Sequence, residues 1–301
     1  MRINNRLFCV AAFAALTVVG CGKGGLPGGG GLPNKPAALD NVPGGGMSSG
    51  EVDPNTCANY AASDAGRKLK AFLQAVKDLE ITTTETVKVV KQSCVMMGQE
   101  LGLPAPDLEG ETDSVCAKVI TTYQNNLKVS LKANAKLTVK YKPAVCKVDA
   151  QLQAKAAAQC EGSATAGTGG SGGGGQCRAA AAVKASIEVE CTPAELTIDA
   201  DAKIVLDKSK LETTLKALRT GLPKLLSIKA RLEPLKIAVT ETVKSGQELA
   251  AMGPKFAQSF GDQALCISGQ IAAVAKAVPR IEANVSVSVS VSASASATAG
   301  G

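Results

Sequence analysis

Four cysteines in the middle of the chain lie symmetrically about a glycine-rich segment. The residue numbers of Cys146 and Cys191 add up to 337, and so do those of Cys160 and Cys177. Two antiparallel strands in register give such a constant sum, because each step forward along one strand matches a step back along the other. We therefore predict the disulfides Cys146–Cys191 and Cys160–Cys177 across a hairpin whose tip is the glycine-rich segment 161–176.

The two arms of this hairpin alternate between apolar and polar residues. Every second residue from Cys146 to Cys160 and from Cys177 to Cys191 is apolar. The alternation extends outward to about residues 128 and 206, with a phase slip of one residue at Pro143-Ala144 and one opposite it at Pro193-Ala194. A period of two is typical of a half-buried strand. The pattern predicts a long antiparallel β-hairpin over 128–206.

Charged residues support the same register, with one mismatch. The register pairs lysine with glutamate at two places: Lys142 with Glu195, and Lys147 with Glu190. Opposite charges across a strand pair contribute about 0.2–1 kcal/mol each. The mismatch is Asp149, which would face Glu188.

Local helix propensity favours an alternative around 150–159 and 179–182. These segments consist largely of alanine, lysine and glutamine, which favour helix. A helical hairpin would also bring cysteines fourteen residues apart to one side. The strand interpretation is preferred because the alternation and the β-branched outer segments agree, and the helical one stays open.

The N-terminus carries a short export signal that ends in a cysteine. Arg2 and Arg6 precede an apolar run over 7–19, which is too short to span a bilayer. The end of this run, Val18-Val19-Gly20-Cys21, resembles the lipobox of bacterial lipoprotein precursors. The resemblance implies that 1–20 is removed and that the sulfur of Cys21 receives a diacylglyceryl group. It also implies a lipid anchor in the outer membrane, because no aspartate follows Cys21.

The remaining cysteines form an even set of eight once Cys9 and Cys21 are set aside. An exported chain meets an oxidising compartment, so four disulfides are expected. Cys94–Cys116 would tie two helices together, which leaves Cys57–Cys266 by exclusion. The two other pairings of these four cysteines remain open.

Helical patterns flank the predicted hairpin. Apolar residues at three- and four-residue steps predict two helices within 57–127, the second capped by Asp113. They also predict, within 207–283, a long helix kinked at Pro223 and Pro234 and a last helix after Gly253-Pro254.

Both ends of the mature chain have an unusual composition. Segment 21–56 is predicted to be a Gly/Pro-rich tether. Segment 284–301 alternates Val or Ala with Ser and is predicted to be a strand or a tail. The predicted fold is therefore α+β: an elongated antiparallel helical bundle with a long disulfide-stapled β-hairpin inserted between its helices.

The composition excludes several classes of site. The chain has no histidine, so it cannot hold a Ser-His-Asp, Cys-His or His-metal centre. Its net charge of +7 is spread along the chain without a dense basic block, which argues against nucleic-acid binding. We therefore predict no catalytic residues, no cofactor and no metal.

The function expected from these features is that of a non-enzymatic envelope lipoprotein with a structural or protein-interaction role. Its partners would be the membrane, through the lipid anchor, and another envelope protein or a second copy of itself. The alternative is membrane perforation, because a helical bundle with a β extension resembles the helical pore-forming toxins of the cytolysin A type.

Overall fold

The structure is a computed structural model that describes residues 51–133, 135, 137–161 and 174–300. The predicted signal peptide, Cys21 and nearly all of the tether lie outside the described residues, as does most of the predicted hairpin tip.

Helices dominate the described part of the chain. In chain order the elements are α1 (Asp64–Glu100), α2 (Thr112–Ser130), β1 (Thr138–Lys142), β2 (Cys146–Lys147), α3 (Ala150–Glu161), α4 (Gly174–Ile187), β3 (Glu190–Cys191), β4 (Glu195–Asp199), α5 (Lys208–Gln258) and α6 (Ala264–Gly300). The helix-dominated α+β class agrees with the prediction, and so do the two helices α1 and α2 in the first helical part.

The core lies between α1, α5 and α6, and α4 packs against α1 and α5. Helix α6 runs parallel to α1, because Arg280 binds Glu80 and Asn284 donates to Thr84 Oγ1 at 3.3 Å. Helix α5 runs antiparallel to both, since Lys216 near its start binds Glu100 at the end of α1 at 2.7 Å. The fully buried side chains are almost all aliphatic: Leu69, Leu73, Leu79, Leu222, Leu225, Leu232, Leu249, Ile267 and Ile281.

The two strand pairs follow the predicted register. Strand β1 pairs antiparallel with β4, and β2 with β3, and the partners in both ladders have residue numbers that add up to 337. Cys146 lies opposite Cys191 and Lys147 opposite Glu190, while Lys142 Nζ binds Glu195 Oε1 at 2.8 Å. The outer part of the predicted hairpin is therefore present as two short ladders.

The inner part of the hairpin is helical, so the prediction of strands there is wrong. Residues 150–161 form α3 and residues 174–187 form α4. The alternation was misleading because most of its apolar members are alanines, which pack on any face and favour helix. In α3 the larger apolar residues, Leu152 and Cys160, are eight positions apart and so share one helical face.

The mismatched pair in the predicted register marks the point where the strands end. The Oδ1 atom of Asp149 accepts hydrogen bonds from the backbone N–H groups of Gln151 and Leu152, at 2.8 and 3.2 Å. Asp149 is therefore the N-cap of α3, and Glu188 follows the last residue of α4. Asp149 stands before a helix, where its carboxylate is favourable, and not in a ladder.

The C-terminal segment 284–301 is also helical as far as Gly300, which corrects the prediction of a strand or tail. Its buried positions are Val285, Ser288, Val291, Ser292 and Ala295, which lie on one face of the helix. Ser288 and Ser296 donate to the carbonyl oxygens four residues earlier, at 2.9 and 2.8 Å. Packing of this face on the bundle overrides the β propensity of valine.

Two helix boundaries also differ from the prediction. Helix α5 runs through Gly253-Pro254 and ends at Gln258, four residues after the predicted break. Helix α2 begins at Thr112, so Asp113 lies in its first turn and not at the cap. The two differences are four residues and two residues, within the usual uncertainty of a boundary inferred from sequence.

A substitution at Gly221 tests how closely α5 packs on α1. A Cβ at this position would collide with Met97 Cγ and lie 2.7 Å from the carbonyl oxygen of Ser93. Gly221→Ala is therefore expected to lower the free energy of unfolding by about 1–3 kcal/mol, as overpacked cores do.

Gly269 on α6 is the matched control, because nothing lies within 4 Å of its would-be Cβ. Gly269→Ala is expected to raise the free energy of unfolding by about 0.5–1 kcal/mol, from helix propensity alone. Urea unfolding followed by circular dichroism measures both changes. Equal effects of the two substitutions would contradict this packing of α5 on α1.

Candidate functional site

A groove of about 610 Å³ lies between α1 and the helical hairpin formed by α3 and α4. We call it the α1–α3–α4 groove. Fifteen residues line it: Arg67, Ala71, Gln74, Ala75, Asp78, Ile81, Thr82, Ala156, Gln159, Cys160, Ala180, Val183, Lys184, Ile187 and Glu188. Its volume falls in the range of binding clefts, which makes it the candidate site.

One wall of the groove is a single face of α1. Its lining residues recur at steps of three and four from Arg67 to Thr82, with Ala75 and Ile81 beside them. The large apolar residues of α1, such as Phe72 and Leu79, point instead into the core and are fully buried. The groove therefore lies along the flank of α1 that the other long helices leave uncovered.

Helix α4 forms the floor of the groove, and helix α3 forms its second wall. Helix α4 is buried on nearly every side, and Ala179, Ala181 and Val183 are each at most 1 % exposed. Helix α3 is exposed over most of its length, and Cys160 is its single buried residue. The disulfide Cys160–Cys177 joins the two helices and so holds the second wall in place.

The exposed apolar surface of the groove lies at two isoleucines. Ile81 on α1 is 54 % exposed and Ile187 at the end of α4 is 37 % exposed. The remaining apolar lining consists of Cys160, Val183 and four alanines, at positions 71, 75, 156 and 180. Small side chains between larger ones leave depressions that a partner's side chain can fill.

Four charged residues line the groove, two of each sign. Arg67 Nη2 binds Asp64 Oδ1 at 3.1 Å, and Asp78 Oδ1 accepts a hydrogen bond from Gln74 Nε2 at 2.8 Å. Lys184 and Glu188 are exposed on α4 and just beyond it. Their formal charges cancel, so the groove does not select for a highly charged ligand.

Several titratable groups outside the groove have pKa values shifted by burial, by ion pairing and by local hydrogen bonds. Burial raises the pKa of Tyr60 and of Tyr123 to about 12. A hydrogen bond from Lys68 lowers the pKa of Asp64, which is exposed. Within the described residues no group of three or more His, Cys, Asp or Glu side chains could hold a metal ion.

The structure joins the same four cysteine pairs that the sequence analysis gave. The S–S distances are 2.01 Å for Cys57–Cys266, 1.98 Å for Cys94–Cys116, 2.07 Å for Cys146–Cys191 and 2.06 Å for Cys160–Cys177. Cys160–Cys177 is the pair at the groove. The lipidation residue Cys21 lies outside the described residues.

The groove was not predicted from the sequence. Its α1 face looks like an ordinary exposed helix face, and its other wall requires α3 and α4, where strands were predicted. The available signal was the helix propensity of 150–159 together with Asp149 as a cap, which would have placed a helical hairpin beside α1.

Helix α6 has the length and composition of a membrane span. Among the described residues it is the one helix that meets this criterion, over Gly261–Ser296, with a mean hydropathy of 1.2 in the best window. A third of that window is buried inside the structure. A helix in the core of a bundle satisfies the same criterion.

No protein-family model, no curated protein and no solved structure matches this chain.

The contribution of Cys160–Cys177 to the groove can be tested by hydrogen exchange. In the double variant Cys160→Ala/Cys177→Ala, we expect backbone amides of α3 to exchange at least about tenfold faster. The reason is that α3 buries little surface of its own and that this cross-link is worth about 3 kcal/mol. Amides of α4 should keep their protection, because α4 is packed in the core.

The matched control for this experiment is Cys94→Ala/Cys116→Ala, which removes the disulfide between α1 and α2. It should leave the exchange of α3 unchanged. If exchange instead rises equally in α3 and α4 of the Cys160→Ala/Cys177→Ala variant, the two helices open as one unit. That result would contradict the packing of α4 in the core.

Proposed function

We propose that this chain is a lipid-anchored lipoprotein of the bacterial outer membrane with a non-enzymatic, protein-binding role. The α1–α3–α4 groove is its binding surface. A concave surface with two exposed isoleucines is the observation that carries this proposal, because apolar surface gathered in a groove is typical of interaction sites.

Two further features support the envelope part of the proposal. The segment Val18-Val19-Gly20-Cys21 resembles a lipobox. All eight cysteines of the described residues are paired, as is usual for proteins that fold in an oxidising compartment. A chain with several acyl groups on Cys21 would stay firmly on the membrane.

Membrane perforation, the alternative function, has less support. In its favour, α6 is long and apolar enough to span a bilayer. Against it, Cys57–Cys266 fastens the first turn of α6 to the residues before α1, so release of this helix requires reduction. The strands that could extend into a barrel are at most five residues long.

Metabolic labelling with an alkyne analogue of palmitate tests the anchor. We expect the wild-type protein to take up the label and to fractionate with the outer membrane. Cys21→Ala should abolish both, because no other sulfur occupies the lipobox position. Cys9→Ala, in the predicted signal peptide, is the matched control and should change neither; label retained by Cys21→Ala would refute the lipoprotein assignment.

Photo-crosslinking in intact cells tests the binding surface. A photoreactive amino acid at Gln74, which lines the groove, should give an adduct with another envelope protein or with a second copy of this chain. The same amino acid at Ile237, which is 61 % exposed on α5 and away from the groove, is the control. Identical adducts from the two positions, or none from Gln74, would count against the groove as the binding surface.

A further inference from the structure

We infer that the α1–α3–α4 groove binds one amphipathic α-helix of another envelope protein, about four turns long, through large aliphatic side chains on the apolar face of that helix. This inference rests on the proposed function, because it names the class of partner that the groove takes. Three observations carry it: the length of the groove, the residues on its surface and its balance of charge.

The length of the groove matches a short helix. Its α1 wall extends from Arg67 to Thr82, fifteen residues apart. At about 1.5 Å per residue this wall is about 22 Å long, which corresponds to about four helical turns. A helix laid beside α1 would use the same steps of three and four residues that the lining residues follow.

The surface of the groove fits the side of a helix. Alanines line α1, α3 and α4, so a partner backbone can come close and its larger side chains can enter the spaces between them. Ile81 and Ile187 supply the apolar surface that such side chains would cover. The complementary ligand therefore carries leucine, isoleucine or methionine along one face.

The charges of the groove favour the same partner. Arg67 and Lys184 are balanced by Asp78 and Glu188, so a polyanion such as nucleic acid or an anionic membrane surface gains no net attraction. Arg67 already binds Asp64, and Asp78 accepts from Gln74. A helix with both acidic and basic residues beside its apolar face would therefore pair mainly with Lys184 and Glu188. These pairs are exposed and weak, so burial of apolar surface dominates binding.

An acyl chain fits the groove less well than a helix does. Four charged side chains and the amides of Gln74 and Gln159 line the surface, and an acyl chain offers no hydrogen-bonding group to any of them. Covering these groups with hydrocarbon would cost their hydration without replacing it. The amphipathic helix has the polar flanks that these residues require.

Selection from a displayed peptide library tests the inference. The bait is the full-length mature protein in nanodiscs, and the library holds random peptides of about 18 residues, enough to cover the groove. We expect the enriched sequences to share an apolar stripe of leucine, isoleucine or methionine with a period of 3.6 residues. Charged residues of both signs should flank that stripe.

The binding site is located by comparing the affinity of one enriched peptide for several variants, measured by fluorescence anisotropy. Ile81→Glu should weaken binding at least about tenfold, because it places a charge in the apolar contact. Ile187→Glu is a second variant with the same expectation, and both residues are exposed enough for the fold to persist. Ile237→Glu is the control and should leave the affinity unchanged. Raising the salt from about 50 to about 500 mM should change it less than about threefold.

Several outcomes would overturn the inference. Enriched peptides without helical periodicity, or binding that Ile81→Glu and Ile187→Glu leave intact, would exclude a helix in the groove. Binding of cis-parinaric acid that Ile81→Glu abolishes would assign the groove to an acyl chain. A dimer in sedimentation experiments that the same variant dissociates would assign it to a second copy of this chain.

Failure of the inference can be told apart from failure of the proposed function. If crosslinks from Gln74 join an envelope protein through a segment that is not helical, the protein-binding function stands and the helix is excluded. If neither Gln74 nor the peptide library yields a specific partner, the protein-binding function is also refuted.

Discussion

The antiparallel pairing of 138–147 with 190–199 is the interaction on which the rest of the structure depends. It reverses the chain between α2 and α5, so everything between the two strand pairs must leave and return at one place. The excursion is the helical hairpin α3–α4. Because the ladders fix both of its ends and Cys160–Cys177 joins its two helices, α4 lies along α1 and α5 and α3 forms the outer wall of the groove.

The three long helices supply the core against which this hairpin packs. Most of the stability of a helix in a protein comes from packing of its apolar face, and the aliphatic faces of α1, α5 and α6 cover one another. Cys57–Cys266 fixes the beginning of α1 beside the beginning of α6, which favours their parallel arrangement. Helix α4 adds to this core with alanines, and the flank of α1 next to α3 stays open.

The sequence predicted the register of the strands and the boundaries of the helical parts better than it predicted the tip of the hairpin. Cysteine symmetry and the lysine–glutamate pairs are long-range signals, and they gave the correct partners.

Alternating alanines are a poor signal, because an alanine fits a strand face and every face of a buried helix equally well. Asp149 was the local signal for helix in this segment, because it is the N-cap of α3 and not a strand residue. The Val/Ser alternation after Asn284 was misleading for a different reason: packing on the bundle outweighs β propensity. The groove was missed because two of its three helices come from the segment assigned to strands.

Identification of the disulfides under non-reducing conditions tests this account most directly. Digestion with trypsin and Glu-C places each of the four central cysteines on its own peptide, because Lys147, Glu161 and Arg178 lie between them. Mass spectrometry should then find Cys146 linked to Cys191 and Cys160 linked to Cys177. Links within each arm, Cys146 to Cys160 and Cys177 to Cys191, would contradict the antiparallel pairing and with it the position of the groove.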